Sequence, residues 1–341
     1  MRRINAFCLF LTVFLLCCPT FARAVRLEDG IDALREQWSR GKGPESGGFA
    51  LEYSYYEPES ASGENRLPLF VFMAGAGEGS RSGKELTDND FANWSSEEFQ
   101  SRALGGGACL QILKAPEPVY FDTVPVSSIF AAINDFAENH FVDKSRIYVL
   151  GWCIGAAGAA NVVLKYPSYF AGLGLISPRV VISSGEAEKL KDTSVWIFGC
   201  KNDTYSAYGV YVAPSWKNLV NKAEDGNNIR LTTSRTAPRA AAIFNHMMWR
   251  LLEYDFAESV LEDFKDLKTL NGDGEEITFQ RVISWFTVRA VKNGTSESYS
   301  AEPVSVSQET PSLSEEDIGK YADLYRIIIA CFRKITAFLS R

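Results

Sequence analysis

The sequence contains little histidine and few cysteines outside its N-terminus. Only two of the 341 residues are histidines, His140 and His246, and three of the seven cysteines lie within the first 18 residues. The remaining four are scattered widely and are Cys109, Cys153, Cys200 and Cys331. Without a C-x-x-C pair or a His/Cys cluster, the pattern indicates neither a zinc site nor a disulfide scaffold. A single Cys109–Cys200 bridge stays open at this point.

The apolar run at the N-terminus is too short to span a membrane as a helix. It extends from Phe7 to Cys18, follows Arg2 and Arg3, and is succeeded by Ala22-Arg23-Ala24. Positive charge, a short apolar segment and small residues at a cleavage position are typical of a secretory signal peptide. We therefore predict that residues 1–24 are removed and that the protein is exported, to the cell surface, the periplasm or the extracellular medium.

Basic residues are outnumbered by acidic ones, 35 to 42, which gives a formal net charge of −7. Loss of Arg2, Arg3 and Arg23 with the signal peptide changes the charge from −7 to −10. This negative balance disfavours nucleic acid as the main partner. A content of 46% hydrophobic and 23% charged residues is typical of a globular protein.

Composition divides the mature chain into three parts. Residues 25–290 have the apolar content of one large domain, whereas residues 291–313 are rich in Ser, Glu, Thr and Pro and predict a flexible linker. Residues 314–341 predict an amphipathic helix. Its basic and strongly apolar character favours an anionic membrane surface, and packing against the domain or another subunit is an equally good alternative.

Short runs rich in β-branched and aromatic residues predict strands, and their lack of alternation indicates burial on both faces. These runs are Leu69–Met73, Cys109–Leu113, Arg146–Leu150, Gly172–Ser177, Val195–Phe198 and Ile229–Thr233. Helical periodicity over Ser127–Asn139 and Ala156–Tyr166 places helices between them. The alternation predicts an α/β fold, with a mostly parallel central sheet covered by helices on both faces. The segment Phe49–Tyr56 predicts antiparallel strands at the edge.

The stretch Gly151-Trp-Cys153-Ile-Gly155 connects a predicted strand to a predicted helix of small residues. This is the context of a nucleophile elbow. The turn is so tight that Cβ atoms at Gly151 and Gly155 would collide with the strand and the helix, and the helix N-terminus would stabilise a developing thiolate. We predict that Cys153 is a nucleophile; a buried structural cysteine in a Gly-rich turn is the plain alternative.

Acyl transfer also requires backbone N–H groups that bind an oxyanion. Ile154, directly after the nucleophile, supplies the first of them. The glycine-rich residues 74–79 follow the strand Leu69–Met73 and supply the second, which we assign to Ala76. A phosphate-binding loop is less consistent with this segment, because no Gly-Lys-Ser/Thr follows it.

The acid and the base of such a site follow the nucleophile in the order acid, then histidine. Asp203 comes shortly after the strand Val195–Phe198, and His246 comes after a further helix and strand. His140 precedes the elbow at a helix end, and we assign it a packing or capping role. We therefore predict Cys153, Asp203 and His246 as the catalytic residues, with no metal and no organic cofactor.

Residues 45–290 resemble the secreted esterase and polyhydroxybutyrate-depolymerase-like branch of the α/β-hydrolases, which is related to dienelactone hydrolases and phospholipase/carboxylesterases. The resemblance is carried by residues 68–79, by residues 142–148 leading into the elbow, and by residues 166–171. Asp203 after Trp196-Ile-Phe-Gly199 matches the family's acid, and His246 with Trp249 matches its His-x-x-Trp. It implies an α/β-hydrolase fold and an activity on ester bonds.

Two positions depart from the family. Ala74-Gly75 stands where the family has His-Gly, and Cys153 stands where it has a serine. Dienelactone hydrolases use a Cys-His-Asp set on this fold, so the resemblance is compatible with hydrolysis of small or carbohydrate-linked esters through a thioester. An inactive binding protein, and a peptidase or transacylase on the same fold, are the alternatives.

Overall fold

The protein is represented by a computed structural model that describes residues 33–76, 91–116, 119–237, 245–255 and 258–291. The predicted signal peptide, the linker beyond residue 291 and the C-terminal helix lie outside these residues, as does the second half of the oxyanion loop. Within the described ranges, no helix combines the length and the apolar character needed to cross a membrane.

The described residues contain ten strands that form one sheet. The strands are β1 Ser39–Lys42, β2 Glu52–Tyr56, β3 Leu67–Met73, β4 Cys109–Leu113, β5 Val142–Trp152, β6 Gly172–Ile176, β7 Ser194–Cys200, β8 Ile229–Ser234, β9 Lys268–Asn271 and β10 Glu276–Ile277. Their order is β1-β2-β4-β3-β5-β6-β7-β8-β9-β10. The central strands from β4 to β8 pair in parallel, and the outer strands at both edges pair antiparallel.

Helices of the described residues connect and cover these strands. The α-helices are α1 Glu97–Gln100, α2 Val126–Asn139, α3 Gly155–Lys165, α4 Ser184–Lys189, α5 Val212–Val220 and α6 Val282–Thr287. Segments of 3₁₀ helix occupy Ala92–Ser95, Gly226–Asn228, Met248–Asp255 and Glu258–Asp263. Helix α2 ends at Asn139, and the extended backbone of the next residue, His140, prevents the helix from continuing.

Two hydrophobic layers enclose the sheet, because alternate residues of a buried strand point to opposite faces. Leu69, Val71 and Met73 of β3 pack in a layer with apolar residues of α2 and α3. Phe70 and Phe72 pack in the other layer, which includes apolar residues of α6 and of the 3₁₀ segment Met248–Asp255. Burial on both faces explains why the central strands lack an alternating pattern.

The predicted α/β architecture is confirmed, including antiparallel pairing around Phe49–Tyr56. Strand β5 begins at Val142, before the predicted start, because Val142 pairs with Leu67 across a register irregularity. Strands β9 and β10 were not predicted, since both are short and β9 carries polar residues. All central parallel strands end at the same edge, so the loops after β3, β5, β6 and β7 meet there.

Candidate active site

Cys153 lies directly after β5 in a turn that leads into α3. It is 6% exposed and has a φ of +59°, a left-handed conformation that costs energy for a residue with a side chain. A Cβ at Gly151 would come within 2.3 Å of the Gly155 carbonyl oxygen, and a Cβ at Gly155 within 2.1 Å of the Met73 oxygen. The two glycines are therefore sterically required, as the sequence pattern predicted.

Backbone hydrogen bonds fix the Cys153 turn from both sides. Its N–H donates to the Ile176 carbonyl at 3.0 Å, and its own carbonyl accepts from Ala156 and from Arg179, each at 3.2 Å. These bonds connect the turn to the end of β6 and to the first turn of α3. The strained conformation is thus held by neighbouring elements rather than by the turn alone.

The loop after β3 packs against the same turn. A Cβ at Gly75 would lie 3.0 Å from the Cys153 Cβ and 3.3 Å from the Trp152 ring. Neither the Ala76 N–H nor the Ile154 N–H donates a hydrogen bond within the described part of the chain. Gly75, the residue before Ala76, therefore packs against the nucleophile turn, and Ile154 directly follows Cys153.

Asp203 is held rigidly in the loop after β7. One carboxylate oxygen accepts from the backbone N–H groups of Tyr205, at 2.8 Å, and Ser206, at 2.9 Å. The other oxygen lies 2.6 Å from Nδ1 of His246. The carboxylate is fully buried, and these hydrogen bonds fix its orientation towards His246.

His246 is fixed through its backbone as well as its ring. Its carbonyl accepts from the indole N–H of Trp152 at 2.9 Å and from the hydroxyl of Ser177 at 3.2 Å. The rings of Trp152 and Tyr205 lie 5.4 and 5.7 Å from the imidazole, centre to centre. Because Asp203 occupies Nδ1, Nε2 is the ring nitrogen that remains for contacts with other groups.

The charge state of His246 is set by two of the predicted residues. Burial alone would lower its pKa, but hydrogen bonding with Asp203 and electrostatic interactions with Cys153 and Asp203 outweigh burial and raise the pKa to about 9. Nε2 is buried and has no hydrogen-bond partner among the described residues, so no hydrogen bond joins it to the Cys153 thiol, although the two groups interact electrostatically. Hydrogen bonds between a nucleophile and its base commonly tighten only when substrate binds.

Three residues at this site were not predicted. Trp152 and Ser177 bind the His246 carbonyl, and Asn245 connects the acid and base loops through bonds to Asn202 and Ala237. Ser177, with φ +39°, and Asn245, with φ +45°, have left-handed backbones like that of Cys153. Trp152 and Ser177 lie at the carboxyl ends of predicted strands, and this position is the sequence feature by which both could have been predicted as site residues.

His140 lies outside this site, as predicted. Its ring stacks on Phe136 with centres 3.9 Å apart, and its Nδ1 lies 3.0 Å from a Glu57 oxygen. Its N–H donates to the Phe136 carbonyl at the end of α2. His140 therefore packs against α2 and caps the C-terminal end of this helix.

The described cysteines, Cys109, Cys153 and Cys200, are all free thiols. Cys109 on β4 and Cys200 on β7 are separated by β3, β5 and β6, a distance of about 19 Å at the usual strand spacing. A disulfide requires Cα atoms within about 7 Å, so the open alternative of a Cys109–Cys200 bridge is wrong. The described residues contain no group of His, Cys, Asp and Glu suited to a metal ion.

No protein-family model matches the chain, and no curated protein matches it in sequence. Among solved structures, a thermostable esterase matches with a TM-score of 0.55 and 16% identity, over 67% of this chain and 63% of that one. A Bacteroides ovatus protein assigned as a dipeptidyl aminopeptidase IV matches with a TM-score of 0.46 and 14% identity, over 64% of this chain and 35% of that one. The chain thus covers less than two thirds of either structure, and the likeness establishes the fold alone.

Proposed function

We propose that this chain, which has the α/β-hydrolase fold, is an exported hydrolase of carboxylic esters that forms a thioester on Cys153. The observation that carries the proposal is the 2.6 Å contact between His246 Nδ1 and Asp203, with Cys153 interacting with the same imidazole. A nucleophile, a base and a group that orients the base are the minimum set for covalent acyl transfer.

The raised pKa of His246 is consistent with a cysteine mechanism. With a pKa of about 9, the imidazole is protonated at neutral pH, and part of this rise comes from its interaction with Cys153. In the proposed mechanism, the nucleophile is the Cys153 thiolate, which attacks without transferring a proton first. The substitution of cysteine for serine and the charge of the histidine are thus mutually consistent.

In the acylation step, the Cys153 thiolate forms a bond to the ester carbonyl carbon. The N–H groups of Ile154 and Ala76 bind the oxygen as it becomes negative. The carbon–oxygen bond to the alcohol then breaks, and His246 donates its Nε2 proton to the departing alkoxide. The products are an alcohol, a thioester and a neutral imidazole.

Acylation prepares His246 for the second step. A thioester carries no negative charge, so two of the influences that raise the pKa of His246 disappear with the thiolate. The imidazole then stays neutral and removes a proton from water, which adds to the thioester carbonyl. Collapse of this intermediate breaks the carbon–sulfur bond, releases the carboxylic acid and regenerates the thiolate–imidazolium pair. Asp203 orients the ring throughout.

We propose small or carbohydrate-linked esters as the substrate class. Trp152 and Tyr205 present aromatic rings beside His246, where the alcohol part of the ester departs. Tyr205 is 41% exposed and so combines an accessible ring with a polar hydroxyl. Such rings suit the mixed apolar and polar faces of a sugar. Kinetics with acetylated sugars and alkyl acetates would test this preference, and equal kcat/KM for both would contradict it.

The central experiment combines turnover with chemical trapping. Chromogenic acyl esters of increasing chain length should be hydrolysed by the wild-type protein and not by Cys153→Ala, and mass spectrometry of quenched protein should locate the acyl group on Cys153. Turnover that survives in Cys153→Ala would refute the nucleophile. Absence of any ester or peptide turnover by the folded protein would favour a binding protein, and turnover of peptides alone a peptidase.

Export and membrane contact rest on residues outside the described ranges and are likewise proposals. N-terminal sequencing of protein recovered outside the cytoplasm should begin at Val25 if residues 1–24 form a signal peptide. Co-sedimentation with anionic vesicles should be lost when residues 314–341 are removed. Equal partitioning with and without the segment would refute membrane contact and favour its packing against the domain or another subunit.

A further inference from the structure

A cavity of about 560 Å³ is lined by none of the proposed catalytic residues. Its walls include Arg230 near the start of β8 and Arg289 just after α6. Because β8 runs parallel to β5 and β7, its start is at the amino edge of the sheet, whereas Cys153 and Asp203 follow the carboxyl ends of those strands. The cavity and the candidate active site therefore occupy opposite edges.

Among the described residues, neither guanidinium group of this cavity has an acidic partner in contact. No carboxylate of these residues forms an ion pair with either Arg230 or Arg289. Arg230 donates to the Gln280 side chain at 2.8 Å, and Arg289 donates to the carbonyls of Asn227 and Trp285. All these acceptors are neutral, so within the described part of the chain neither positive charge is paired with a carboxylate.

Both arginines retain unused donors in a largely buried setting. Arg230 is only 8% exposed, and the Nε atoms of both arginines are buried without a hydrogen-bond partner. Both guanidinium groups lie against Trp285, whose ring centre is 4.9 Å from the guanidinium carbon of Arg230 and 3.8 Å from that of Arg289. The indole nitrogen of Trp285 is also buried and unpartnered. Three buried N–H donors without an acceptor lower the stability of the folded protein unless a ligand accepts hydrogen bonds at this site.

Charge repulsion adds to this cost. Burial lowers the pKa of Arg289 to about 10, and burial together with the positive charge of Arg289 lowers the pKa of Arg230 to about 10. Asp225 interacts with Arg289 only at long range and raises its pKa without forming an ion pair. An anion bound in the cavity beside both guanidinium groups would offset the repulsion and accept hydrogen bonds from them.

We propose that this cavity binds an organic anion whose carboxylate or phosphate group pairs with Arg230 and Arg289. Phe279 and Val288 form apolar walls beside the two charges, so the ligand would carry an apolar or aromatic body as well as a charged head. The site is independent of ester hydrolysis, since it lies at the other edge of the sheet and contains none of the proposed catalytic residues.

Val288 offers a test that spares the buried residues. It lines the cavity and is 61% exposed, so Val288→Glu places a carboxylate at the mouth without altering the core. Val288→Gln has the same size and no charge, and serves as the matched control. Arg230→Gln removes one cation directly. If this variant fails to fold, the comparison of the two Val288 variants still tests whether the cavity binds an anion.

Isothermal titration of the full chain at low salt would use phenyl phosphate, benzoate, inorganic phosphate and neutral benzamide. Phenyl phosphate or benzoate should bind at least about tenfold more weakly to Val288→Glu than to Val288→Gln, and at least about tenfold more weakly to Arg230→Gln than to wild type. The preferred aromatic anion distinguishes a phosphate-bearing from a carboxylate-bearing ligand. Inorganic phosphate should bind about tenfold more weakly than phenyl phosphate, because it lacks the apolar body.

Three results would overturn the inference. They are no heat with either aromatic anion at millimolar concentration, equal affinity in Val288→Gln and Val288→Glu, and equal affinity for benzamide and benzoate. Equal binding of inorganic phosphate and phenyl phosphate would overturn the apolar part of the assignment. Ester hydrolysis by Val288→Glu should equal that of wild type, so the outcome is separable from that of the proposed function.

Discussion

The indole N–H of Trp152 donates to the backbone carbonyl of His246 across 2.9 Å, which ties the residue before the nucleophile to the base. The two residues are 94 positions apart in the sequence. Ser177 binds the same carbonyl from the end of β6. Three separate loops therefore determine where the imidazole stands relative to Cys153, and this positioning can be tested without removing any catalytic group.

Trp152→Phe keeps an aromatic ring but removes this hydrogen bond. We expect the free energy of unfolding to fall by about 1 kcal/mol and kcat/KM to fall by about tenfold, because the base loses one of its two anchors. Trp196→Phe is the matched control, since it removes an indole bond to Thr232 away from the site. Urea unfolding and ester kinetics would measure both, and an equal loss of activity in the two variants would contradict the positioning role.

Asp203→Asn should remove the carboxylate that orients His246 and raises its pKa. The pKa of His246 should fall, because a hydrogen bond and a negative charge that raise it are lost, and kcat/KM should fall by roughly 10³- to 10⁴-fold. Glu57→Gln is the control, because Glu57 contacts the other histidine, His140. Chemical shifts of the His246 ring during a pH titration would report the pKa, and an unchanged value in Asp203→Asn would refute the coupling.

The raised pKa of His246 predicts a specific pH dependence of stability. In the folded protein the pKa is about 9, above the ordinary value of 6.5, so the folded state holds the proton more tightly than the unfolded state. The resulting stabilisation should be complete below about pH 6.5 and should disappear as the pH rises through about 9, with a loss of up to about 3 kcal/mol. Urea unfolding of wild type and His246→Gln at pH 6, 8 and 10 should show their difference shrinking, and a constant difference would be inconsistent with the raised pKa.

Alkylation should discriminate among the cysteines. Cys153 stands at the start of α3 beside His246, whereas burial raises the pKa of Cys109 far above its ordinary range and also raises that of Cys200. Iodoacetamide at pH 7 followed by peptide mapping should label Cys153 at least about 100-fold faster than either. His246→Ala should slow this labelling by about tenfold, because the imidazolium is removed. Uniform labelling in the folded protein would count against an activated thiol.

The elbow should be intolerant of a single methyl group. Gly155→Ala would place a Cβ 2.1 Å from the Met73 oxygen, a backbone atom that cannot move alone, and should destabilise the fold by about 3 kcal/mol or more. Gly185→Ala in α4 meets no atom within 4 Å and should stabilise by up to about 1 kcal/mol. Thermal unfolding of both variants would check the contrast, and similar melting temperatures would mean that the turn relaxes.

The sequence predicted those features that depend on local geometry. Unalternating apolar runs identified the central strands, because a strand covered on both faces needs apolar residues at every position. Gly151 and Gly155 identified the turn around Cys153, because only glycine fits so close to a neighbouring backbone. The order of Cys153, Asp203 and His246 predicted their proximity, because parallel strands deliver their loops to one edge.

The tertiary structure alone decided what depends on register and on side-chain direction. It showed that Trp152 and Ser177 share the His246 carbonyl and that β4 and β7 are too far apart for a disulfide. It also brought both Arg230 and Arg289 against the ring of Trp285. Such contacts join residues distant in sequence, and a shift of one residue in strand register would turn each side chain to the other face. Local patterns therefore determine which elements form, whereas only their packing determines which side chains meet.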